Sequence, residues 1–310
     1  MASHPDSRLT MTEPVQISTP DGRSLDVFIA GPEDGDVLLF HHGSPGVGAP
    51  SAKLVAAAGE RGLRYVAITR PGYAGSTREP GRRVASVVDD AVAVLDHLGA
   101  ERCFTMGWSG GGPHTLACAA LLPDRIVAAL AVASVAPYPA DGLDWTAGMG
   151  QENIEEFAAA LAGPEALGAF QEALAPGLRV VTAAEVADSL GDLIPPVDRA
   201  ALTGELAEEL ADDLHRALST GIWGWHDDDL AFTRPWGFDV ADIRVPTAIW
   251  QGTDDRMVPF AHGQWLAGRI PGVRAHLMPD QGHLSLAVES LPAILDDLRS
   301  LARPAAETSA

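Results

Sequence analysis

A serine lies in a five-residue pattern that can present a nucleophile. Residues 107–111 read Gly-Trp-Ser-Gly-Gly, which fits G-x-S-x-G, and they stand between a short apolar run and a helical pattern. A serine on a sharp strand-to-helix turn keeps its Oγ exposed, and small neighbours let the turn close. The N-terminus of the following helix favours negative charge at the same place. These features predict that Ser109 attacks an electrophilic carbon.

A serine hydroxyl is a poor nucleophile until a base removes its proton, and an acid must orient that base. His283 is the candidate base, because it follows the last candidate strand, where we expect a loop at the same edge of the sheet. Asp254 and Asp255 are the candidate acids, since both come directly after the preceding candidate strand. Aspartates are also common turn residues, so the sequence position alone leaves both acids open.

Negative charge that develops on a substrate oxygen needs two convergent N–H donors. The residue after the nucleophile, Gly110, supplies one. The second is expected from residues 42–46, His-Gly-Ser-Pro-Gly, which follow a candidate strand. Ser44 is the favoured donor there, because Pro45 has no N–H. A plain Gly/Pro turn is the alternative interpretation of this segment.

Short apolar runs that alternate with helical patterns indicate a mostly parallel α/β sheet, which would bring these loops to one edge. Apolar spacing predicts helices over 84–98 and 291–298, and an antiparallel hairpin over 19–30 that turns at Asp21-Gly22. The candidate strands are 37–40, 65–68, 103–106, 126–135, 247–250 and 275–278.

The alternation of apolar runs and helical patterns stops between residues 141 and 233. This segment has the composition of several helices. It carries 19 acidic and three basic residues, so it holds most of the negative charge of the chain. We predict a core made of residues 1–140 and 234–310 and a helical cap made of residues 141–233 over the carboxyl ends of the strands. The acidic cap could favour cationic substrates, although a solvated helical face explains the charge as well.

Five motifs in the order HGSPG, RPGYAGS (70–76), GWSGG, GTDDRMVP (252–259) and GH (282–283) resemble the α/β-hydrolase superfamily, in its serine-nucleophile branch. The resemblance implies a doubly wound sheet, the chain order Ser, Asp, His, and Asp255 as the acid, with Asp254 as the fallback. HGSPG is most similar to the His-Gly-Gly-Pro-Gly stretch of proline iminopeptidases. The chain departs from it at Ser44 and at Trp108. Ser109 lies at the predicted strand-to-helix turn of residues 107–111, called the elbow below. A serine at this position also differs from the carboxylate nucleophile of haloalkane dehalogenases and epoxide hydrolases.

Tryptophans are the candidate substrate-contacting residues. Trp108 precedes the nucleophile, and Trp223 and Trp225 lie where the predicted cap returns to the core. The latter two could form an aromatic wall over an apolar pocket, or they could simply pack the hinge of the cap.

Composition excludes several classes of function. A net charge of −21 opposes binding to nucleic acid or to an anionic membrane. No apolar run is long enough for a membrane span, and residues 1–20 lack a secretory signal. Two cysteines, Cys103 and Cys118, fit a reducing cytoplasm better than a disulfide scaffold. Lys53 is the only lysine and follows no phosphate-binding loop.

The sequence therefore predicts a hydrolase that needs neither metal nor cofactor and cleaves carboxylic esters or related small acyl compounds through an acyl-enzyme. The alternatives are an aminopeptidase like proline iminopeptidase, a ligand-binding module with little turnover, and a lyase built on the same scaffold.

Overall fold

The computed structural model describes residues 13–302, and within this range the chain forms one eight-stranded sheet. The strand order is β1-β2-β4-β3-β5-β6-β7-β8. The pairs β1–β2 and β2–β4 are antiparallel, and all pairs from β4 to β8 are parallel. The strands are β1 (Val15–Ser18), β2 (Ser24–Ala30), β3 (Asp36–His41), β4 (Leu63–Ile68), β5 (Cys103–Trp108), β6 (Ile126–Val132), β7 (Thr247–Gly252) and β8 (Arg274–Met278).

Helices follow most of the strands, and a group of six lies between β6 and β7. These six, called the inserted helices below, are α4 to α9 in the list that follows. The helices are α1 (Ala52–Gly59), α2 (Val87–His97), α3 (Gly112–Leu121), α4 (Gln151–Ala162), α5 (Pro164–Leu178), α6 (Ala183–Ser189), α7 (Pro196–Ala201), α8 (Glu205–Ala217), α9 (Trp223–Phe232), α10 (Phe260–Arg269), α11 (His283–Glu289) and α12 (Leu291–Leu301).

Helices cover both faces of the sheet, because successive strand residues point to opposite sides. In β3, Val37 and Leu39 belong to the apolar core shared with α2 and α3. Leu38 and Phe40 belong to the core shared with α1 and α12. This two-sided burial explains why the strands read as continuous apolar runs. It confirms the prediction of a mostly parallel, doubly wound sheet.

The strand order reverses between β3 and β5, since β4 and β5 lie on opposite sides of β3. Loops that leave neighbouring strands in opposite directions open a crevice at such a point, and ligands bind there in open α/β sheets. The segments after β3, β5, β7 and β8 all begin at this carboxyl edge of the sheet. They contain Ser44, Ser109, Asp255 and His283, respectively.

Two local predictions were wrong. The N-terminal hairpin does turn near Gly22, but its first arm is β1, which lies before the predicted range of 19–30. His283 is not on a loop, because it is the first residue of α11. Seven residues of α11 give too little apolar periodicity to be recognised next to the longer α12.

The inserted helices enclose a pair of carboxyl groups. Glu156 of α4 and Asp229 of α9 are buried close to each other, and Gln171 Nε2 of α5 donates to Asp229 Oδ2 at 2.8 Å. Burial raises the pKa of Glu156, and burial together with the charge of Glu156 raises the pKa of Asp229. Two like charges this close cannot both form cheaply, so the pair retains a proton in the folded protein.

We predict that Glu156→Gln stabilises the protein at pH 8 and has little effect below about pH 4.5. The folded pair binds a proton that the unfolded chain releases, so stability falls as the pH rises above the unfolded pKa. Glutamine removes one titrating group and can donate to ionised Asp229. The gain is on the order of 1–3 kcal/mol.

Urea unfolding at pH 4.5 and pH 8 measures this change. Glu165→Gln, on the exposed side of α5, is the matched control and should shift neither value. Equal effects of Glu156→Gln at both pH values would contradict the proton-sharing pair.

Candidate active site

Ser109 stands on a strained turn between β5 and α3. Its φ is +56°, a left-handed conformation that is rare for residues other than glycine. A methyl group at Gly107 would overlap the carbonyl of Gly111, and one at Gly111 would overlap the carbonyl of His41. The two glycines of G-x-S-x-G are therefore needed for the close approach of three backbone segments. This packing holds Ser109 in its strained conformation.

His283 and Asp255 meet in the buried part of the carboxyl edge. His283 Nδ1 lies 2.8 Å from Asp255 Oδ2, and the two side chains are almost inaccessible. Asp255 Oδ1 accepts from the backbone N–H groups of Met257 and Val258 at 2.9 and 2.8 Å. Asp254 is exposed, and its carboxylate accepts from the Thr253 hydroxyl instead. Of the two candidate acids, the structure places Asp255 against the imidazole.

Opposing effects act on the His283 imidazole. Burial alone would lower the pKa of His283, but the charge of Asp255, its hydrogen bond and the charge of Asp198 raise it above the ordinary value. Since Asp255 contacts Nδ1, the other ring nitrogen, Nε2, is left to exchange a proton with a neighbouring group.

The elbow and the imidazole meet through Trp108. The ring centroids of Trp108 and His283 are 5.1 Å apart, and Trp108 Nε1 donates to the His283 carbonyl at 3.4 Å. Among residues 13–302, Ser109 Oγ has no hydrogen bond to the imidazole. Such bonds often tighten only when substrate binds.

The segment after β3 lies against the elbow. A methyl group at Gly110 would overlap the hydroxyl of Ser44, and one at Gly43 would lie 3.6 Å from Ser109 Cβ. The two residues predicted as oxyanion donors, Ser44 and Gly110, are therefore neighbours. The Ser44 hydroxyl donates to Asp228 Oδ2, so its proton is already engaged in a hydrogen bond.

Asp228 of α9 is a fully buried carboxylate between two guanidinium groups. Arg70 Nη2 and Arg82 Nη2 each lie 2.7 Å from its oxygens, and the Tyr73 hydroxyl donates to it at 2.8 Å. Burial alone would raise the pKa of Asp228, but the charges of Arg70 and Arg82 hold it well below its usual range. The cluster joins the inserted helices to the segment after β4.

The same guanidinium fixes the segment after β3. Arg70 Nη1 and Nη2 donate to the carbonyls of His42 and Gly43 at 2.6 and 2.9 Å. The Arg70 backbone N–H donates to His42 Nε2 at 3.1 Å, so His42 Nδ1 carries the proton and donates to the Gly43 carbonyl. Burial and the charge of Arg70 lower the pKa of His42 well below its ordinary value. His42 is thus a neutral structural residue.

An apolar cluster of the inserted helices contacts a neighbour of each candidate catalytic residue. Trp108 and Leu284 are adjacent in the chain to Ser109 and His283, Met257 lies two residues after Asp255, and all three pack into this cluster. Its buried members from the inserted helices and their connections are Val181, Val186, Ile194, Leu202, Ala207 and Ala211. The part of the inserted helices that contacts Trp108, Met257 and Leu284 is therefore mostly aliphatic.

The other two tryptophans pack against Arg78 and against the apolar core. The Trp223 residue is 43% exposed, and the Arg78 guanidinium stacks 3.9 Å above its ring. Trp225 is buried in the core that includes Tyr73 and Leu218. Both contacts fit the packing of a hinge, and a role of these residues in substrate binding stays a prediction.

In the part of the chain that the structure describes, no three or more His, Cys, Asp or Glu side chains are grouped as metal ligands would be. Over the same residues, no helix combines the length and the apolar character needed to cross a bilayer. Cys103 and Cys118 are buried and free, and burial raises the pKa of the Cys103 thiol to about 12.

The sheet, the elbow and the order of the site residues along the chain agree with a match to a known family. The model of the alpha/beta hydrolase fold family matches residues 36–290. The chain belongs to the alpha/beta hydrolase family. Its candidate site lies at the end of the sheet where the matched strands β3, β5, β7 and β8 end.

Relatives of this alpha/beta hydrolase differ in their reactions. Putative carbamate hydrolase RutD of Variovorax paradoxus is 25% identical over 281 residues, 89% of this chain and 96% of that protein. Epoxide hydrolase B of Mycobacterium tuberculosis is 29% identical over 137 residues, 43% of this chain and 38% of that protein. Bifunctional esterase/perhydrolase DCH of Acinetobacter calcoaceticus is 32% identical over 124 residues, which are 39% of this chain and 44% of that protein. The match spans less than half the length of the last two relatives.

Solved structures share the fold at low sequence identity. The enol-lactonase of Burkholderia xenovorans LB400 superposes with a TM-score of 0.66 at 17% identity, over 93% of this chain and 99% of that one. A hydrolase of Pseudomonas aeruginosa PA01 superposes with a TM-score of 0.67 at 22% identity, over 93% of this chain and 97% of that one. None of these five proteins carries the name of a proline iminopeptidase, so that finer resemblance stays a prediction.

Sequence reasoning missed the residues that hold the site from behind. In the sequence, Arg70 stands out only as part of the motif at 70–76, and Asp228 only as one of the 19 acidic residues of the predicted cap. No local signal identifies Asp228, because only the structure shows that residues 224–232 of α9, which include three consecutive aspartates, are buried on every side. Buried charges need partners, and an arginine directly after a strand was one available partner.

We predict that Asp228→Asn destabilises the protein by about 3–5 kcal/mol, because it leaves two buried guanidinium groups without their counter-charge. Urea unfolding at pH 7 measures the change. Asp296→Asn is the matched control, since Asp296 is mostly exposed where it pairs with Arg61 and should matter little. Similar losses of unfolding free energy in the two variants would contradict a stabilising role of the buried Asp228 ion pairs.

Proposed function

We propose that this alpha/beta hydrolase is a serine hydrolase that cleaves carboxylic esters or related acyl compounds. The observation that carries the proposal is the buried His283–Asp255 pair next to a serine held at φ +56°. A strained serine, an oriented imidazole and a buried carboxylate are the three parts that acyl transfer through a covalent intermediate requires.

In the proposed reaction, His283 Nε2 takes the proton of Ser109 Oγ as that oxygen attacks the substrate carbonyl. The Asp255 carboxylate stabilises the imidazolium that forms and keeps the ring in the productive orientation. The imidazolium then protonates the leaving group, and an acyl-enzyme remains on Ser109. A water molecule activated by His283 attacks the acyl carbon and releases the acid.

The backbone N–H groups of Gly110 and Ser44 would hold the oxygen that becomes negatively charged. Arg70 supports this role from behind, since it binds the carbonyls of His42 and Gly43 and so keeps the segment from shifting. Donors fixed before the reaction need no reorganisation, and each is worth roughly 10²–10³ in turnover.

We propose that residues 141–233 form a cap over this site, with the core made of residues 1–140 and 234–310. The aliphatic cluster on Trp108, Met257 and Leu284 supports a cap whose inner side accepts an apolar acyl or alcohol group. The predicted small-molecule substrate is therefore neutral and largely hydrocarbon near the reacting carbonyl.

The activities named for the relatives differ in whether a serine nucleophile could carry them out. If Ser109 opened an epoxide, the product would be an ether, which lacks a carbonyl for water to attack and would block the enzyme. An ester or a carbamate offers a carbonyl, so the resulting intermediate can be hydrolysed. Ser109 therefore favours chemistry of the kind named for the Acinetobacter esterase/perhydrolase and for RutD over that named for epoxide hydrolase B.

We predict that a fluorophosphonate probe modifies Ser109 and that Ser109→Ala abolishes the labelling. Turnover of short p-nitrophenyl esters should fall by a factor on the order of 10⁴ or more. Mass mapping of the labelled peptide locates the modified residue. Labelling elsewhere would refute the nucleophile, and faster hydrolysis of prolyl arylamides than of esters would replace the esterase proposal by an aminopeptidase.

We predict that Asp255→Asn lowers kcat for esters by about 10³–10⁴, because an amide neither balances the imidazolium nor selects its productive tautomer. The adjacent Asp254→Asn is the matched control and should retain nearly full activity, since Asp254 is exposed. Steady-state kinetics of both variants tests this. A large loss in Asp254→Asn with Asp255→Asn active would reassign the acid.

A further inference from the structure

One carboxylate of the inserted helices contacts the helix that begins with His283. Asp198 of α7 is fully buried. Its Oδ2 accepts from the His283 backbone N–H at 2.8 Å. Its Oδ1 accepts from the N–H groups of Leu284 and Ser285 at 3.0 and 2.8 Å, and from the Ser285 hydroxyl at 2.8 Å. Four donors from α11 thus converge on a side chain 85 residues away in sequence.

The first N–H groups of a helix have no partner within the helix and are usually bound by the side chain of the residue before it. In α11 that residue is Gly282, which has no such side chain. A methyl group at Gly282 would overlap the Asp198 carboxylate. The glycine therefore leaves the space that the carboxylate from α7 fills. A single atom at this position would separate the two helices.

The contact acts on the catalytic histidine in two ways. It fixes the backbone of His283, and the ring direction depends on that backbone. It also adds a second negative charge close to the imidazole. Asp255 and Asp198 are the charged groups that act on His283, and the Trp108 ring covers another side. Burial opposes the charged imidazole, and both carboxylates raise its pKa.

We propose that Asp198 is a positioning residue for the proposed hydrolysis, through which the inserted helices set the orientation of His283. The inference rests on the proposed function. Asp198 touches no reacting atom, so its effect passes through the histidine. The four hydrogen bonds share one carboxylate, so any displacement of α7 relative to α11 would weaken them together.

The test is the pH dependence of kcat/KM for a p-nitrophenyl ester in Asp198→Asn. Asparagine keeps one oxygen for the N–H groups but removes the charge, so the imidazolium loses its proton more readily. The acidic limb of the profile, where His283 must be neutral to act as a base, should shift to lower pH. We expect kcat at the optimum to fall about 10- to 100-fold, since small misplacements of a catalytic group have effects of this size.

Two further variants separate charge from geometry. Ser285→Ala retains the Asp198 charge and removes one donor, so it should lower kcat modestly and leave the acidic limb in place. Asp188→Asn removes an exposed carboxylate of α6 whose side chain is 91% accessible and should behave as the wild type in both respects. An acidic limb that moves equally in all three variants would overturn the proposal.

Labelling with a fluorophosphonate distinguishes a failure of the proposed serine hydrolase function from a failure of the positioning role of Asp198. If the wild type is not modified at Ser109, the proposed function fails. If Ser109 is modified and Asp198→Asn keeps both the wild-type acidic limb and the wild-type kcat, only the positioning role fails. If Asp198→Asn does not fold, as judged by circular dichroism, the carboxylate supports the whole fold rather than the histidine, which also overturns the proposal.

Discussion

Buried carboxylates that must each be matched by donors from another part of the chain decide how this protein is assembled. Asp228 lies between Arg70 and Arg82, Asp198 binds the start of α11, and Asp255 binds His283 and two backbone N–H groups. An unpaired buried charge costs several kcal/mol, so each match holds two elements in one relative position. Two of the three carboxylates come from the inserted helices, which are thereby tied to the core at both sides of the site.

The two ties of the inserted helices have different effects on the chemistry. Through Arg70, Asp228 supports the segment that contains Ser44, the proposed oxyanion donor. Asp198 supports the helix that begins with His283, the proposed base. The nucleophile itself depends on neither, because its strained turn is held by the close packing of Gly107 and Gly111 within the core. The core thus holds Ser109, the proposed nucleophile, and the inserted helices help to hold the groups that we propose to activate it.

Much of this arrangement could be predicted from local signals. Parallel strands buried on both faces read as apolar runs, and the loops at their carboxyl ends meet at one edge whatever lies between them. Ser109, His283 and the Asp254-Asp255 pair were found because each follows such a run. Sequence position alone left the two acids open, and the family resemblance implied Asp255. The structure separates them by geometry, since adjacent residues of one turn point in different directions. Only Asp255 is directed at the imidazole and supported by backbone donors.

The sequence by itself determined the sheet, the elbow and the residue types of the site, because these depend on periodicity and on backbone geometry over a few residues. Only the tertiary structure decided which carboxylate serves which partner. Asp228 and Asp198 are ordinary members of an acidic stretch, and nothing within ten residues of either indicates Arg70 or the start of α11. Their roles come from contacts across 158 and 85 residues, and such pairings depend on how whole helices pack rather than on any local pattern.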